Sequence, residues 1–87
     1  MAKVYEHIHV VERERAFIMR IRTMYDAGLV FWSGREKIGL TQQQLADRAR
    51  VSRSWLAKVE TGKASFDFRK VLMVSQALGM HVEINDD

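Results

Sequence analysis

Residues 40–62, LTQQQLADRARVSRSWLAKVETG, constrain the fold more tightly than any other part of this chain. Thr41 stands where a helix needs an N-cap, and Gln44 can reach back to close a capping box. Leu45, Ala46 and Ala49 follow at helical spacing, which predicts a short helix, Gln42–Ala49, with one buried face. Ser52 can cap a second periodic run, and Gly62 stands where a helix end takes a left-handed residue. The spacing predicts that helix over 53–61, with Val51, Leu56 and Val59 turned inward.

Two short helices joined by about four residues form a helix-turn-helix unit, the second helix of which can enter a DNA major groove. The run LTQQQLADRARVS, followed by an aliphatic pair and Glu60-Thr61-Gly62-Lys63, resembles the lambda-repressor-like, or XRE-type, helix-turn-helix proteins. The resemblance spans residues 23–79. It implies a mainly α fold of four to five helices, with short N- and C-terminal β-strands used in dimerisation. The expected division is an extended segment over 1–22, the DNA-binding domain over 23–79, and a strand and tail over 80–87.

A chain of 87 residues holds one small domain, a size at which oligomerisation often adds stability. It contains no cysteine, which excludes disulfides and thiolate metal sites and fits a reducing cytoplasm. No stretch is apolar and long enough to span a membrane, and the start MAKVYEHIHV lacks a signal-peptide pattern. The chain carries +3, yet residues 35–63 hold seven basic and three acidic side chains, a local +4. Basic charge that coincides with the two-helix unit is the footprint expected for phosphate contact.

Upstream, residues 3–11 are β-branched, aromatic and partly alternating, and read as a strand. His7 and His9 would share one of its faces; with no further ligand in place they are expected to be surface or packing residues, not metal ligands. Residues 16–22 read as a strand too, with a helix over 11–24 as the competing assignment. The resemblance favours the strand, because HipB-like proteins often reach their first helix through an extended segment ending Ile-Arg-Thr, here Ile21-Arg22-Thr23.

Thr23 should cap a first helix, Met24–Ile38, that buries Ala27, Val30, Phe31 and Ile38. Gly34 within it costs about 1 kcal/mol relative to alanine. Trp32 stands where the family commonly has arginine, and a surface-packing role suits it. Arg35 precedes Glu60 by 25 residues. The resemblance implies that the two pair and so fix the angle of the second motif helix. Arg50 stands where the family usually has glycine, and a left-handed backbone there costs about 1 kcal/mol.

The expected DNA contacts are Gln42 and Gln43 at a helix N-terminus, then Arg50, Ser52, Arg53, Ser54, Trp55, Ala57, Lys58, Thr61 and Lys63. Arg53 can donate twice to guanine, worth about 1–3 kcal/mol of discrimination. Trp55 either meets the sugar-phosphate edge or packs on the fold. Ser65 should cap a last helix over 66–78, with Phe68, Val71, Leu72, Ser75 and Leu78 inward and Gly79 at its end.

Met80, His81, Val82, Glu83 and Ile84 then alternate like a strand. Such a strand needs a neighbour: residues 16–22, the same strand of a second subunit, or both. The ending ALGMHVEI is similar to HipB-like antitoxins. It implies a homodimer on a palindromic operator and a HipA-type kinase toxin as a further partner. A solitary phage or plasmid regulator, or a protein-binding adaptor without DNA binding, are the alternatives. No cofactor is expected, and no nucleophile–base set, phosphate loop or carboxylate pair suggests an enzyme.

Overall fold

A computed structural model describes residues 8–12, 18–65 and 67–84. In chain order these form β1 (Ile8–Glu12), β2 (Ile18–Ile21), α1 (Met24–Ile38), α2 (Gln42–Ala49), α3 (Arg53–Glu60), α4 (Phe68–Ala77) and β3 (Met80–Ile84). The domain is mainly helical, with a small antiparallel sheet of order β2-β1-β3 among the described residues.

β1 is central because both of its faces are covered: Ile8 and Val10 on one, His9 and Val11 on the other, are all buried. Such burial suits an interior strand, whereas edge strands alternate. Register places Ile8 opposite Ile21 and Ile84, and Val10 opposite Met19 and Val82. Those residues share the face that joins the helical core. The terminal strand therefore pairs with β1, and not with the 16–22 segment. Where the competing helix over 11–24 falls on described residues, 11–12 and 18–21 are strand instead. Most of the first expected strand, residues 3–7 including His7, lies outside the described residues, as do residues 85–87.

Local chemistry sets the helix starts. At α1, Thr23 Oγ1 accepts from the Asp26 amide at 3.4 Å, and Asp26 Oδ2 accepts from Thr23 N at 3.2 Å and Arg22 N at 2.8 Å. At α2, Gln44 N donates to Thr41 Oγ1 at 3.1 Å while Thr41 N donates to Gln44 Oε1 at 2.9 Å. Both are complete capping boxes.

α4 starts two residues later than expected. Its cap is Asp67, which accepts from Lys70 N at 3.2 Å, and not Ser65. A carboxylate both accepts this bond and answers the positive end of the helix. α3 ends at Glu60, one residue early; Gly62, at φ 73°, turns the chain as its amide donates to Val59 O at 2.9 Å.

One core joins Ile8, Val10 and Ile21 of the sheet to Val30 and Phe31 of α1, Leu45 of α2, Leu56 and Val59 of α3, and Val71 and Val74 of α4. Two expected inward residues face out. Leu72 is exposed, because the buried stripe of α4 runs through Val71, Val74, Ser75 and Leu78, about 100° away. Ile38 is 49% exposed. It ends α1 beyond the reach of the core and borders a cavity instead.

Candidate nucleic-acid interface

Arg35 Nε and Nη2 donate to the two carboxylate oxygens of Glu60 at 2.9 and 2.8 Å, while Arg35 Nη1 donates to Leu40 O at 2.9 Å. Gln42 Nε2 adds a third bond to Glu60, at 3.1 Å. One carboxylate thus ties the last turn of α3 to α1 and to the first residue of α2. The pair is largely dry, with side-chain exposures of 12% for Arg35 and 4% for Glu60. The hydrogen bond to Glu60 holds the guanidinium pKa above its ordinary value, so Arg35 stays charged.

Packing reinforces this clamp. Gly28 of α1 lies directly on the Val59 carbonyl of α3, and Tyr25 covers Gly62. α3 is therefore held from behind and at its C-terminal end. Ser52 caps its start by accepting from Trp55 N at 3.0 Å.

Held in this way, α3 leaves Arg53, Ser54 and Lys58 exposed, with Ala57 half-exposed between them. Those positions fall on one outward stripe. Gln43 is exposed at the start of α2 and bonded to Asp47 Oδ1 at 2.8 Å, whereas Gln42 is half-buried against Glu60. Arg50, Ser52 and Lys63 are exposed at the ends of α2 and α3.

Two further residues have internal roles. Thr61 donates its hydroxyl back to Ala57 O at 3.1 Å and Lys58 O at 3.0 Å, leaving that oxygen only as an acceptor. Trp55 is half-buried and packs against the core, with Lys70 Nζ 5.1 Å from its ring centroid. Of the two places open to Trp55, packing on the fold is the one observed. A shallow cleft lined by Trp55, Lys58, Lys63, Ala64, Ser65 and Asp67 opens beside it.

Sequence reasoning missed the Gln42–Glu60 bond, the Gly28 contact and Lys70 over Trp55. Gly28, an unexplained glycine in an amphipathic helix, was the one legible signal. The other two link residues 18 and 15 positions apart on different helices. No local pattern marks such pairs.

Arg50 adopts φ 59°, ψ 38°, the left-handed turn between α2 and α3. Arg50→Gly removes the Cβ clash and is expected to raise stability by about 1 kcal/mol. Urea unfolding would register it as a higher midpoint at unchanged slope.

The family model described as a helix-turn-helix domain matches residues 12–83 of the chain. Comparisons with curated proteins and with solved structures gave no match.

Proposed function

Because the chain belongs to the helix-turn-helix domain family, we propose that it is a sequence-specific, double-stranded-DNA-binding repressor acting as a dimer in the cytoplasm. The carrying observation is the outward stripe of α3, fixed against α1 and the start of α2 by the Arg35–Glu60–Gln42 cluster. A rigid helix with a basic, small-residue face fits a major groove, and two copies supply the second half-site.

Arg53 reads a base, with Ser54 and Ala57 close enough to shape the contact. Lys58 and Lys63 hold backbone phosphate beside the cleft next to Trp55. Gln43, Arg50 and Ser52 anchor the other end of the contact. The α2 N-terminus offers amides to a further phosphate, with Gln42 positioned by Glu60. Thr61 acts mainly as the helix end.

The finer role is that of an antitoxin which represses its own operon and binds a HipA-type kinase toxin. It rests on the likeness of the ALGMHVEI ending to HipB-like proteins. A kinase-like coding sequence beside the gene, and co-purification of its product, are the expected accompaniments.

Arg53→Ala is expected to weaken specific binding by about 1–3 kcal/mol and to relax preference at one base per half-site. Lys58→Ala should weaken all duplexes alike and lower the salt slope by about 0.9 for each phosphate left without its lysine. Fluorescence anisotropy against salt separates the two effects. Unchanged behaviour in both variants would favour a protein-binding adaptor.

A further inference from the structure

Gly34, Ile38, Leu78 and Met80 line a cavity of about 260 Å³ where the last turns of α1 meet the end of α4 and the start of β3. Gly34 and Ile38 stand one turn apart on one face of α1, and the glycine puts no side chain into the space between. A Cβ on Gly34 would lie 3.1 Å from Met80 Cε and 3.2 Å from Leu78 Cδ1, so the ends of those side chains form the facing wall. An engineered apolar cavity of about 150 Å³ accepts benzene, so this one has room for a side chain of leucine or phenylalanine size. Ile38, 49% exposed, is apolar surface that such a guest would cover.

The rim carries charges of both signs. Lys37 Nζ lies 3.8 Å from Glu12 Oε2 at the end of β1, and both residues line the cavity beside exposed Ser33. The contact is loose, and the Lys37 side chain is 71% exposed. Pairs of this kind contribute little to stability, so opening this one costs little.

Those charges select among apolar guests. A carboxylate placed on Lys37 would also meet the like charge of Glu12, 3.8 Å from that ammonium. An amine placed on Glu12 would meet Lys37 in the same way. A molecule with an ammonium and a carboxylate on one carbon gives each rim charge its opposite and leaves the net charge of the site unchanged. Charge-assisted hydrogen bonds then take the place of the loose contact.

We propose that this cavity binds a free apolar α-amino acid of leucine to phenylalanine size. Its ammonium lies on Glu12, its carboxylate on Lys37, and its side chain among Gly34, Ile38, Leu78 and Met80. No lining residue belongs to α2 or α3, so the site is separate from the proposed DNA contact and does not rest on it.

Calorimetric titration of the full chain with leucine and with phenylalanine, without DNA, tests this. At least one of the two is expected to bind at millimolar concentration and to raise Tm, because it binds the folded state alone. Glycine, without a side chain to fill the cavity, should not bind. The N-acetyl form of the bound amino acid lacks the ammonium and its amide lacks the carboxylate. Each should bind at least about tenfold more weakly.

Lys37→Gln should weaken the amino acid by the same factor, and in that variant the amide should bind as well as the amino acid. A merely structural role for Lys37 would leave that ratio unmoved. Ile38→Asp should abolish binding, because it sets a charge against the apolar wall.

Absence of binding by both amino acids at tens of millimolar would overturn the proposal. Equal affinity for the amino acid, its N-acetyl form and its amide would overturn it too, as would affinity unchanged in Lys37→Gln and Ile38→Asp. Helical circular dichroism checks that each variant folds, and should Ile38→Asp fail to fold, the Lys37→Gln titrations still decide. Failure here would leave the reading of α3 intact, since the titrations contain no DNA.

Discussion

Replacing Glu60 with alanine is expected to lower the unfolding free energy by about 3–5 kcal/mol. The carboxylate accepts from Arg35 twice and from Gln42 once, at 2.8–3.1 Å. Its removal strands a buried guanidinium whose one remaining bond among these is to Leu40 O. Domains of this size hold roughly 5–15 kcal/mol in all, so the variant should be close to unfolding at physiological temperature.

The loss is not the worth of the pair. Replacing Arg35 and Glu60 together with methionine or leucine should recover much of it, because buried ion pairs exchange for apolar packing at little net cost. Gln42→Ala removes only one bond and should cost about 1 kcal/mol. Urea unfolding of the four proteins gives the comparison. A Glu60→Ala variant within about 1 kcal/mol of the parent would mean that the cluster does not hold α3.

Gly28→Ala is the second large effect, at about 3 kcal/mol. A Cβ at this position meets the Val59 carbonyl oxygen head-on, with Val59 C at 3.1 Å and Glu60 Cα at 3.4 Å. All three are backbone atoms of α3, so relief requires the helix itself to move. Gly34→Ala is the control. Its nearest neighbours are the side-chain ends of Met80 at 3.1 Å and Leu78 at 3.2 Å, which can shift. Alanine there also gains about 1 kcal/mol of helix propensity.

In thermal unfolding, each kcal/mol moves Tm by roughly 4–8 °C at this size. Gly28→Ala should therefore fall by more than about 10 °C while Gly34→Ala stays near the parent. Equal midpoints for the two would contradict the close α1–α3 approach.

The contrast between these glycines shows where the sequence was informative. Helix starts at Thr23, Thr41 and Ser52 were legible because a cap is a contact over three residues. The same logic failed at Ser65, where Asp67 offered a stronger acceptor two residues on. Strand existence was legible from β-branched runs, whereas strand order depends on long-range pairing. Only the apolar residues on both faces of β1, with Val10 on one and Val11 on the other, hinted at its central place.

Burial was legible through helical periodicity except where an element ends or its stripe is misplaced. Ile38 lies beyond the edge of the core, and Leu72 lies off the buried stripe of α4. In the candidate interface, the outward placing of Arg53 and Lys58 follows from periodicity. The spacing of Arg35 and Glu60 gained meaning only through resemblance. Gln42's tie to Glu60 had no signal, since it joins residues on two helices whose angle no local pattern fixes.

The most direct test is selection of bound sequences from a random duplex pool by the full chain, repeated with Arg53→Ala. An enriched inverted repeat is predicted, with half-sites about 10 base pairs apart, centre to centre, and one preferred guanine per half-site should disappear in the variant. No enrichment, or the same enriched sequence with Arg53→Ala, would contradict a groove-reading α3.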